Sequence, residues 1–218
     1  MSGSGALLIP LLKKNLAIEA VDNSTDMINS CLERAVQEQV KPIIYNQSIT
    51  ELALPKKYAG ILVTFSSFQL IHDYAQALKV LTLFHAHIKS NGVLLLECFI
   101  PWDMIKDSIK KDVPLTQAGP FYSARQVITQ DTIKINLKTT ITVYTPEQYM
   151  ISNGVFEKLD SNGCVLEQEY EEHTIRWYYQ YEMKLLLEKA GFMLTHVYRN
   201  THHLEPQDML FQAIKIIK

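Results

Sequence analysis

The segment GSGALLIPLL (residues 3–12) is a glycine turn followed by an apolar run, and VDN (residues 21–23) follows about 20 residues after the first glycine. A glycine turn lets a ligand approach the backbone at the start of a helix. An acidic residue at the end of the next strand accepts hydrogen bonds from two ribose hydroxyls. The two segments together predict an adenosine-binding site.

The composition indicates a globular protein. The 218 residues, 47% of them hydrophobic, suffice for one domain with an elaborated lobe. A formal charge of −2 provides no basic field, so we expect a small-molecule substrate and no nucleic acid. The longest apolar runs fall short of the ~20 residues that span a membrane, and the N-terminus lacks signal-peptide features. Cys31, Cys98 and Cys164 lack paired spacing, which favours reduced thiols in the cytoplasm.

Strands and helices alternate in the first half of the sequence. Strands are predicted at residues 17–21, 41–45, 60–65 and 93–99, and helices at 6–14, after the N-cap Ser24, and at 78–88. The run 60–65 has the continuous apolar character of a strand covered on both faces. Gly92 is expected to be the left-handed residue that ends the last of these helices. This order predicts an α/β fold with a doubly wound, mostly parallel sheet.

The second half of the sequence predicts an inserted antiparallel β lobe. The segment KINLKTTITVYT (residues 134–145) alternates apolar and polar side chains, and the turn at residues 160–163 predicts a hairpin. A helix at 178–189 and strands at 193–199 and 210–217 follow. We divide the chain into a cofactor-binding core (1–121), a β insertion acting as substrate lid or dimerisation lobe (122–177), and a C-terminal completion of the core (178–218). The lobe edge favours a homodimer.

The order of five segments resembles class I S-adenosylmethionine-dependent methyltransferases, and most of all the bacterial small-molecule group with a β-rich lobe after the fifth strand. The resemblance covers nearly the whole chain. It implies a Rossmann-like fold, S-adenosylmethionine as cofactor, and methyl transfer to a small molecule such as an amine of a sugar or amino acid. The segments are GSGALLIPLL (3–12), AIEAVDNSTDMI (17–28), KKYAGILVTFSSFQLI (56–71), IKSNGVLLLECFIPW (88–102) and YEMKLLLEKAGFMLTHVY (181–198).

The resemblance also implies cofactor-binding positions. Around the methionine portion and the ribose these are Gly3, Ser4, Gly5 and Asp22. Near the adenosine they are Asn23, Met27, Ser48 and Ile49. At the carboxyl end of the family's fourth strand, beside the methyl group, they are Thr64, Phe65, Ser66 and Phe68.

Two departures from the family pattern affect this interpretation. Ser48 and Ala59 occupy positions where the family commonly has Asp. The family's first strand, normally central in the sheet, is also not found, and its loss would expose two rows of backbone groups. A misassigned start, a shortened gene or a rearranged sheet would each account for this.

Methyl transfer is an in-line displacement that requires mainly orientation and desolvation from the protein. A neutral amine needs no general base. Candidate catalytic or acceptor-facing side chains between core and lobe are His72, Trp102, Tyr122, Arg176, Tyr178 and Tyr179, each of which has an alternative as a surface or packing residue. His202 and His203 face opposite ways on a strand, so no metal site is expected.

Two other functions compete with methyl transfer. A nicotinamide-dependent oxidoreductase shares the glycine turn and the ribose-binding acid, but Leu8 occupies the third glycine position and no hydride-transfer pair follows. A noncatalytic methyltransferase-like remnant or structural partner is the alternative from another class, because of the missing strand and the residues at 48 and 59.

Overall fold

Three sheets and five helices organise the part of the chain that the computed structural model describes, which is residues 2–110, 118–128, 133–199 and 208–216. The helices are α1 (Leu8–Lys13), α2 (Thr25–Gln37), α3 (Tyr74–His87), α4 (Trp102–Lys110) and α5 (Gln180–Lys189). The strands are β1 (Ala20–Asp22), β2 (Ile44–Asn46), β3 (Tyr58–Val63), β4 (Ile88–Phe99), β5 (Ala118–Ile128), β6 (Lys134–Tyr144), β7 (Tyr149–Leu159), β8 (Val165–Arg176), β9 (Phe192–Arg199) and β10 (Asp208–Lys215). Two 3₁₀ turns span Ile49–Glu51 and Ser67–Leu70.

The α/β core contains two sheets where the sequence predicts one. β1 and β2 pair in parallel as a two-stranded sheet. The second sheet has the order β3-β4-β10-β9, in which β3 and β4 are parallel and β10 runs antiparallel to both neighbours. The prediction of parallel strands is confirmed for these two pairs. The single continuous sheet is not, because within the described residues no strand joins β1 to β3.

Two hydrophobic clusters stabilise the core. The larger one packs α3 and α5 against the four-stranded sheet, with Phe84, Leu94, Leu186 and Phe211 almost fully buried. The smaller one packs α1 and α2 onto the two-stranded sheet through residues such as Ile9. Burial of a large apolar side chain contributes about 1.5–3 kcal/mol, so the larger cluster dominates the stability of the core.

Strand β3 differs from the prediction for residues 60–65. It spans Tyr58–Val63, and it is not covered on both faces: Ala59 and Gly60 are exposed and Leu62 is 39% exposed. The predicted strand is present, but its predicted burial on both faces assumed a continuous sheet. The exposure follows because, among the described strands, β3 has a neighbour only on its β4 side.

The connection from α3 to β4 corrects the prediction for Gly92. Helix α3 passes directly into β4 at Ile88, and the left-handed residue there is Asn91, with φ of 60°. Gly92 serves packing, because an added Cβ would lie 2.7 Å from the carbonyl oxygen of Ala59. A close backbone approach is the second common reason for a glycine.

The lobe is a four-stranded antiparallel sheet with the order β5-β6-β7-β8. The predicted hairpin is confirmed, since β7 and β8 pair across the turn and Gly163 has a φ of 86°. Val143 and Met150 of the lobe belong to the larger core cluster, which docks this end of the sheet onto the core. The homodimer through the lobe stays a prediction.

No helix in the described ranges has the length and apolar character needed to cross a membrane. Cys31 and Cys98 are buried free thiols, and Cys164 is an exposed one. His202 and His203 lie outside the described residues. Within the described part of the chain, no group of three His, Cys, Asp or Glu side chains is arranged to hold a metal ion.

Candidate functional site

The glycine turn and the acidic residue predicted to form a site lie together. The backbone amide of Gly3 donates to Oδ2 of Asp22 at 2.7 Å, and the amide of Ser24 donates to Oδ1 at 3.0 Å. Asp22 is the last residue of β1 and is only 5% exposed. Burial raises the pKa of this carboxyl, but the hydrogen bonds that it accepts, those from Ser24 and Gly3 among them, outweigh burial and hold the pKa below its usual value. The group is therefore a carboxylate.

The glycines of the turn have different physical roles. Both have a positive φ, 54° at Gly3 and 80° at Gly5. Open space surrounds Gly3, because an added Cβ would meet nothing within 4 Å. At Gly5 an added Cβ would lie 2.5 Å from Sγ of Cys31 on α2. Gly3 thus leaves room for a ligand, whereas Gly5 allows the turn to pack on the helix.

Helix α2 begins as the sequence predicts. The hydroxyl of Ser24 accepts a hydrogen bond from the amide of Met27 at 3.3 Å, which satisfies one of the free amides of the first turn. Asn23 and Met27 are exposed beside the turn. Ser4 faces α2, since Arg34 donates to its carbonyl and its hydroxyl at 3.0 Å and 3.2 Å.

Ser48 and Ile49, which are consecutive in the chain, have different environments. Ser48 follows β2 and caps the first 3₁₀ turn, where its hydroxyl accepts from the amide of Thr50 at 3.3 Å. The side chain of Ile49 is buried in the larger core cluster. Ser48 remains partly exposed, whereas Ile49 is a core residue.

The loop after β3 carries two consecutive left-handed residues. Phe65 and Ser66 have φ of 52° and 53°, a conformation that costs an L-residue about 1–2 kcal/mol. Oε2 of Glu97 on β4 accepts the amide of Phe65 at 3.0 Å, and Ser67 Oγ donates to the carbonyl of Thr64 at 2.8 Å. These bonds hold the Phe65 side chain 70% exposed at the carboxyl end of β3.

Phe68 occupies a different environment from the three residues before it. Its side chain is fully buried, and its ring lies 5.7 Å from that of Tyr178. Phe68 therefore supports the loop from the core and does not line an open site.

Contacts within the described residues link most of the six acceptor-facing candidates. Arg176 donates to the carbonyl of His72 at 3.4 Å, and its guanidinium lies 5.4 Å from the centre of the Tyr178 ring. Tyr178 is fully buried, donates to the carbonyl of Ile71 at 3.3 Å, and has a raised pKa because of burial, which makes it a packing residue. Arg176 pairs with Glu182 at 3.3 Å. The remaining four are at least partly accessible: His72, Trp102, Tyr122 and Tyr179. Trp102 and Tyr179 are neighbours, with ring centroids 6.0 Å apart.

Three polar residues that the sequence did not single out organise the site. Glu97 holds the Phe65 loop, as described. Gln69 is fully buried and joins core to lobe, because its amide group bonds both the N–H and the carbonyl of Phe99 and the carbonyl of Arg176, at 2.7, 3.0 and 2.8 Å. Glu19 precedes β1 and accepts from Tyr58 and Lys56. Of these three residues, only Gln69 could have been identified from the sequence, because it is a polar residue inside an apolar segment.

Comparisons with known proteins show which domains and folds this chain resembles. Residues 2–96 match a family model described as a methyltransferase domain. A comparison with curated proteins gives no match. Among solved structures, an S-adenosylmethionine-dependent methyltransferase from Clostridium acetobutylicum ATCC 824 is similar with a TM-score of 0.76 and 16% identity, over 98% of this chain and 81% of that one.

Two further solved structures have the same architecture. DesVI of Streptomyces venezuelae has a TM-score of 0.74 and 16% identity, with 99% of this chain and 81% of that one covered. The sugar N-methyltransferase KedS8 of Streptoalloteichus sp ATCC 53650 has a TM-score of 0.75 and 13% identity, with 98% and 77% covered. Residues 2–96 thus match the model of a methyltransferase domain, and the chain has a Rossmann-like fold with a β-rich lobe, similar to the folds of these solved methyltransferases.

Proposed function

We propose that this protein transfers a methyl group from S-adenosylmethionine to a small-molecule acceptor, and that the acceptor atom is an amine nitrogen. The observation that carries the proposal is the contact between the glycine turn and the carboxylate of Asp22. This contact places the accessible backbone of Gly3 next to the buried carboxylate of Asp22, which is the arrangement that an adenosyl ligand requires. S-adenosylmethionine is the cofactor expected of the methyltransferase family.

The residues present fit this cofactor. The Asp22 carboxylate accepts the amides of Gly3 and Ser24 among its hydrogen bonds, and an ionised carboxylate offers about four lone-pair positions. We assign it to the ribose hydroxyls. The space beside Gly3 would take the methionine portion, and the exposed ring of Phe65 would cover the reacting region and exclude water.

The chemistry asks little of the protein beyond positioning. When bound, S-adenosylmethionine supplies an electrophilic methyl group and a neutral thioether leaving group. The residues of this chain would hold the acceptor nitrogen in line with that methyl group. The nitrogen would take the methyl group as the carbon–sulfur bond breaks with its electrons left on sulfur, and it would then give up a proton to water. A neutral amine needs no strong base for this step, which agrees with an accessible candidate set made mostly of aromatic residues.

The preference for an amine rests on two supports. Among the similar structures, KedS8 is named a sugar N-methyltransferase and MtfA a glycopeptide N-methyltransferase. In this chain, Trp102 and Tyr179 form an accessible aromatic pair where α4 and α5 begin. Aromatic faces bind sugars and cationic amines well. We therefore assign the acceptor to the region beside these two rings.

Calorimetry with S-adenosylmethionine and S-adenosylhomocysteine tests the cofactor assignment. We expect saturable binding of both. Incubation with amino sugars and amino acids, followed by mass-spectrometric detection of methylated product, tests the acceptor, with catechols as an oxygen-only comparison. A folded sample that binds neither ligand would exclude methyl transfer.

A noncatalytic methyltransferase-like protein is the second candidate. The observation that favours it is the break between β1 and β3, since the cofactor-binding elements sit on one sheet and the Phe65 loop on the other. This candidate predicts cofactor binding without turnover on any amine, together with product formation no faster than in buffer.

A further inference from the structure

His87, the last residue of α3, links this helix to the connection between β2 and β3. Its Nδ1 lies 2.8 Å from the carbonyl oxygen of Leu83, one turn earlier in the helix, and its Nε2 lies 3.0 Å from the backbone nitrogen of Leu54. A backbone N–H can only donate, so Nε2 must carry the lone pair, and Nδ1 must carry the hydrogen that it donates to Leu83. Both contacts therefore require the neutral ring in one tautomer.

We call residues 47–57 the adenine-side loop, because they include Ser48, which the family resemblance places near the adenosine. The side chain of Gln47 closes this loop on itself, since its amide group donates to the carbonyl of Ala53 at 3.1 Å and accepts the Ala53 amide at 3.0 Å. The next residue, Leu54, is the one that His87 holds. Two consecutive backbone positions thus fix the loop, one to its own start and the other to α3.

Apolar packing also holds the adenine-side loop. Ile49 and Leu52 are buried in the larger core cluster, which includes Val80 and Phe84 of α3. This packing does not depend on the charge of His87. Loss of the hydrogen bond at Leu54 should therefore loosen the loop without unfolding the core.

The surroundings of His87 do not offer it an ion pair. Lys215 of β10 donates to the carbonyls of His85 and Ile88, on either side of His87 in the sequence. Within the described residues, none of the titratable side chains on the nearby elements forms a hydrogen bond or an ion pair with His87. These side chains are Glu51 on the first 3₁₀ turn, Lys56 and Lys57 of the adenine-side loop, Tyr58 of β3, Lys79 and His85 of α3, Lys89 of β4, Glu182, Lys184, Glu188 and Lys189 of α5, and Lys215.

We propose that His87 is a positioning residue for the cofactor site, which holds the adenine-side loop in place only while its ring is neutral. Protonation adds a hydrogen to Nε2, so the ring can no longer accept the Leu54 amide and presents a second donor to it. Histidine side chains change charge between pH 5 and 8, so the contact is present at the upper end of this range and is lost toward the lower end. The effect on cofactor binding rests on the proposed function, whereas the pH dependence of the contact does not.

Nuclear magnetic resonance of the full chain tests the contact without any variant. At pH 8, the ring nitrogens of His87 should show the tautomer with the hydrogen on Nδ1. The exchange protection of the Leu54 amide, corrected for the intrinsic rate at each pH, should fall by about tenfold or more from pH 8 to pH 5.5, because one hydrogen bond is lost. The other tautomer at pH 8, or unchanged protection at Leu54, would overturn the inference.

The variant His87→Gln separates the contact from the charge. The carbonyl oxygen of glutamine can accept the Leu54 amide at every pH, so the protection at Leu54 should no longer depend on pH. His196→Gln, which removes an exposed histidine on β9, should keep the pH dependence of the native protein. Retention of the pH dependence in His87→Gln would contradict the assignment to His87, as would its loss in His196→Gln.

Calorimetry with S-adenosylhomocysteine tests the link to the cofactor site. Binding to the native protein should weaken by about tenfold from pH 8 to pH 5.5, whereas binding to His87→Gln should be nearly independent of pH. Equal binding to the native protein at both pH values would contradict the positioning role alone. Absence of binding at either pH would contradict the proposed function, and the exchange of the Leu54 amide would still decide whether the contact depends on pH.

Discussion

The backbone amide of Gly3 lies 2.7 Å from Oδ2 of Asp22. This one bond joins the glycine turn to the end of β1 across 19 residues of sequence, and it makes Asp22 both a structural partner of the turn and the proposed ribose acceptor. A substitution at Asp22 should therefore change ligand binding and the stability of the turn together.

Asp22→Asn should weaken S-adenosylhomocysteine binding by about 1.5–3 kcal/mol, because the ribose hydroxyls lose a charged acceptor. Calorimetry measures this directly. Asp26→Asn, which removes the same charge from an exposed position in the first turn of α2, is the control and should bind as the native protein does. Equal affinity for both variants would remove Asp22 from the site.

The two glycines of the turn should respond differently to alanine. Gly3→Ala should lower the free energy of unfolding by about 1–2 kcal/mol, because alanine is strained in the left-handed conformation. Gly5→Ala has the same backbone strain, and its Cβ would also lie 2.5 Å from Sγ of Cys31. This clash should lower the free energy of unfolding by about a further 1–3 kcal/mol. Urea unfolding measures both. Adding Cys31→Ala should recover part of the loss at Gly5 and none at Gly3.

Local signals made much of the fold predictable. Ser24 caps α2 and Gly163 closes the β7–β8 hairpin because the deciding contacts lie within a few residues of each in sequence. The contact between Gly3 and Asp22 was also predictable, since a family pattern fixes the spacing.

Nonlocal features were not predictable in the same way. The break between β1 and β3 depends on what lies beside each strand, which the apolar composition of residues 60–65 does not specify. The glycine at position 92 depends on the close approach of the Ala59 carbonyl, whereas the left-handed residue is its neighbour Asn91. Glu97 was missed because its partner, the Phe65 amide, is 32 residues away.

Glu19 should make stability depend on pH in the acid range. The hydrogen bonds from Lys56 and Tyr58 lower the pKa of Glu19 below its usual 4.5, although burial raises it. A lowered folded-state pKa means that this stabilisation is present above pH 4.5 and is lost as the pH falls through the folded-state pKa. Glu19→Gln should thus be less stable than the native protein at pH 7, by up to about 1 kcal/mol.

The difference between Glu19→Gln and the native protein should shrink as urea titrations are repeated from pH 7 down to about pH 3. Glu51→Gln, at an exposed position on the first 3₁₀ turn, controls for the removal of one negative charge. A difference that grows toward acid would reverse the sign and contradict the assignment of the lowered pKa.

Gln69 should be the residue that couples the lobe to the core. Gln69→Met keeps the length of the side chain but leaves the N–H and carbonyl of Phe99 and the carbonyl of Arg176 without their partner. Since a buried unpaired group costs about 1–3 kcal/mol, we expect a loss of about 3 kcal/mol or more. Hydrogen exchange of the Phe99 amide should accelerate. Gln76→Met, exposed on α3, should change neither quantity.

Glu97 should act as a positioning residue for the loop after β3. Phe65 and Ser66 are both held in left-handed conformations, and Glu97 accepts the amide of Phe65 at 3.0 Å. Glu97→Ala removes this acceptor, so the two residues should relax and the Phe65 ring should leave its place. Because the ring is already 70% exposed, global stability should fall by less than about 1 kcal/mol, whereas exchange at residues 65–67 should accelerate.

The Glu97 variants also separate positioning from packing. If Phe65 covers the reacting region, Glu97→Ala should lower kcat by about tenfold or more with a smaller change in KM, since the loss falls on orientation. Glu97→Gln keeps a carbonyl oxygen that can accept the Phe65 amide, so it should restore most of kcat and the slow exchange at residues 65–67. Unchanged exchange in Glu97→Ala would mean that the backbone holds the left-handed pair by itself.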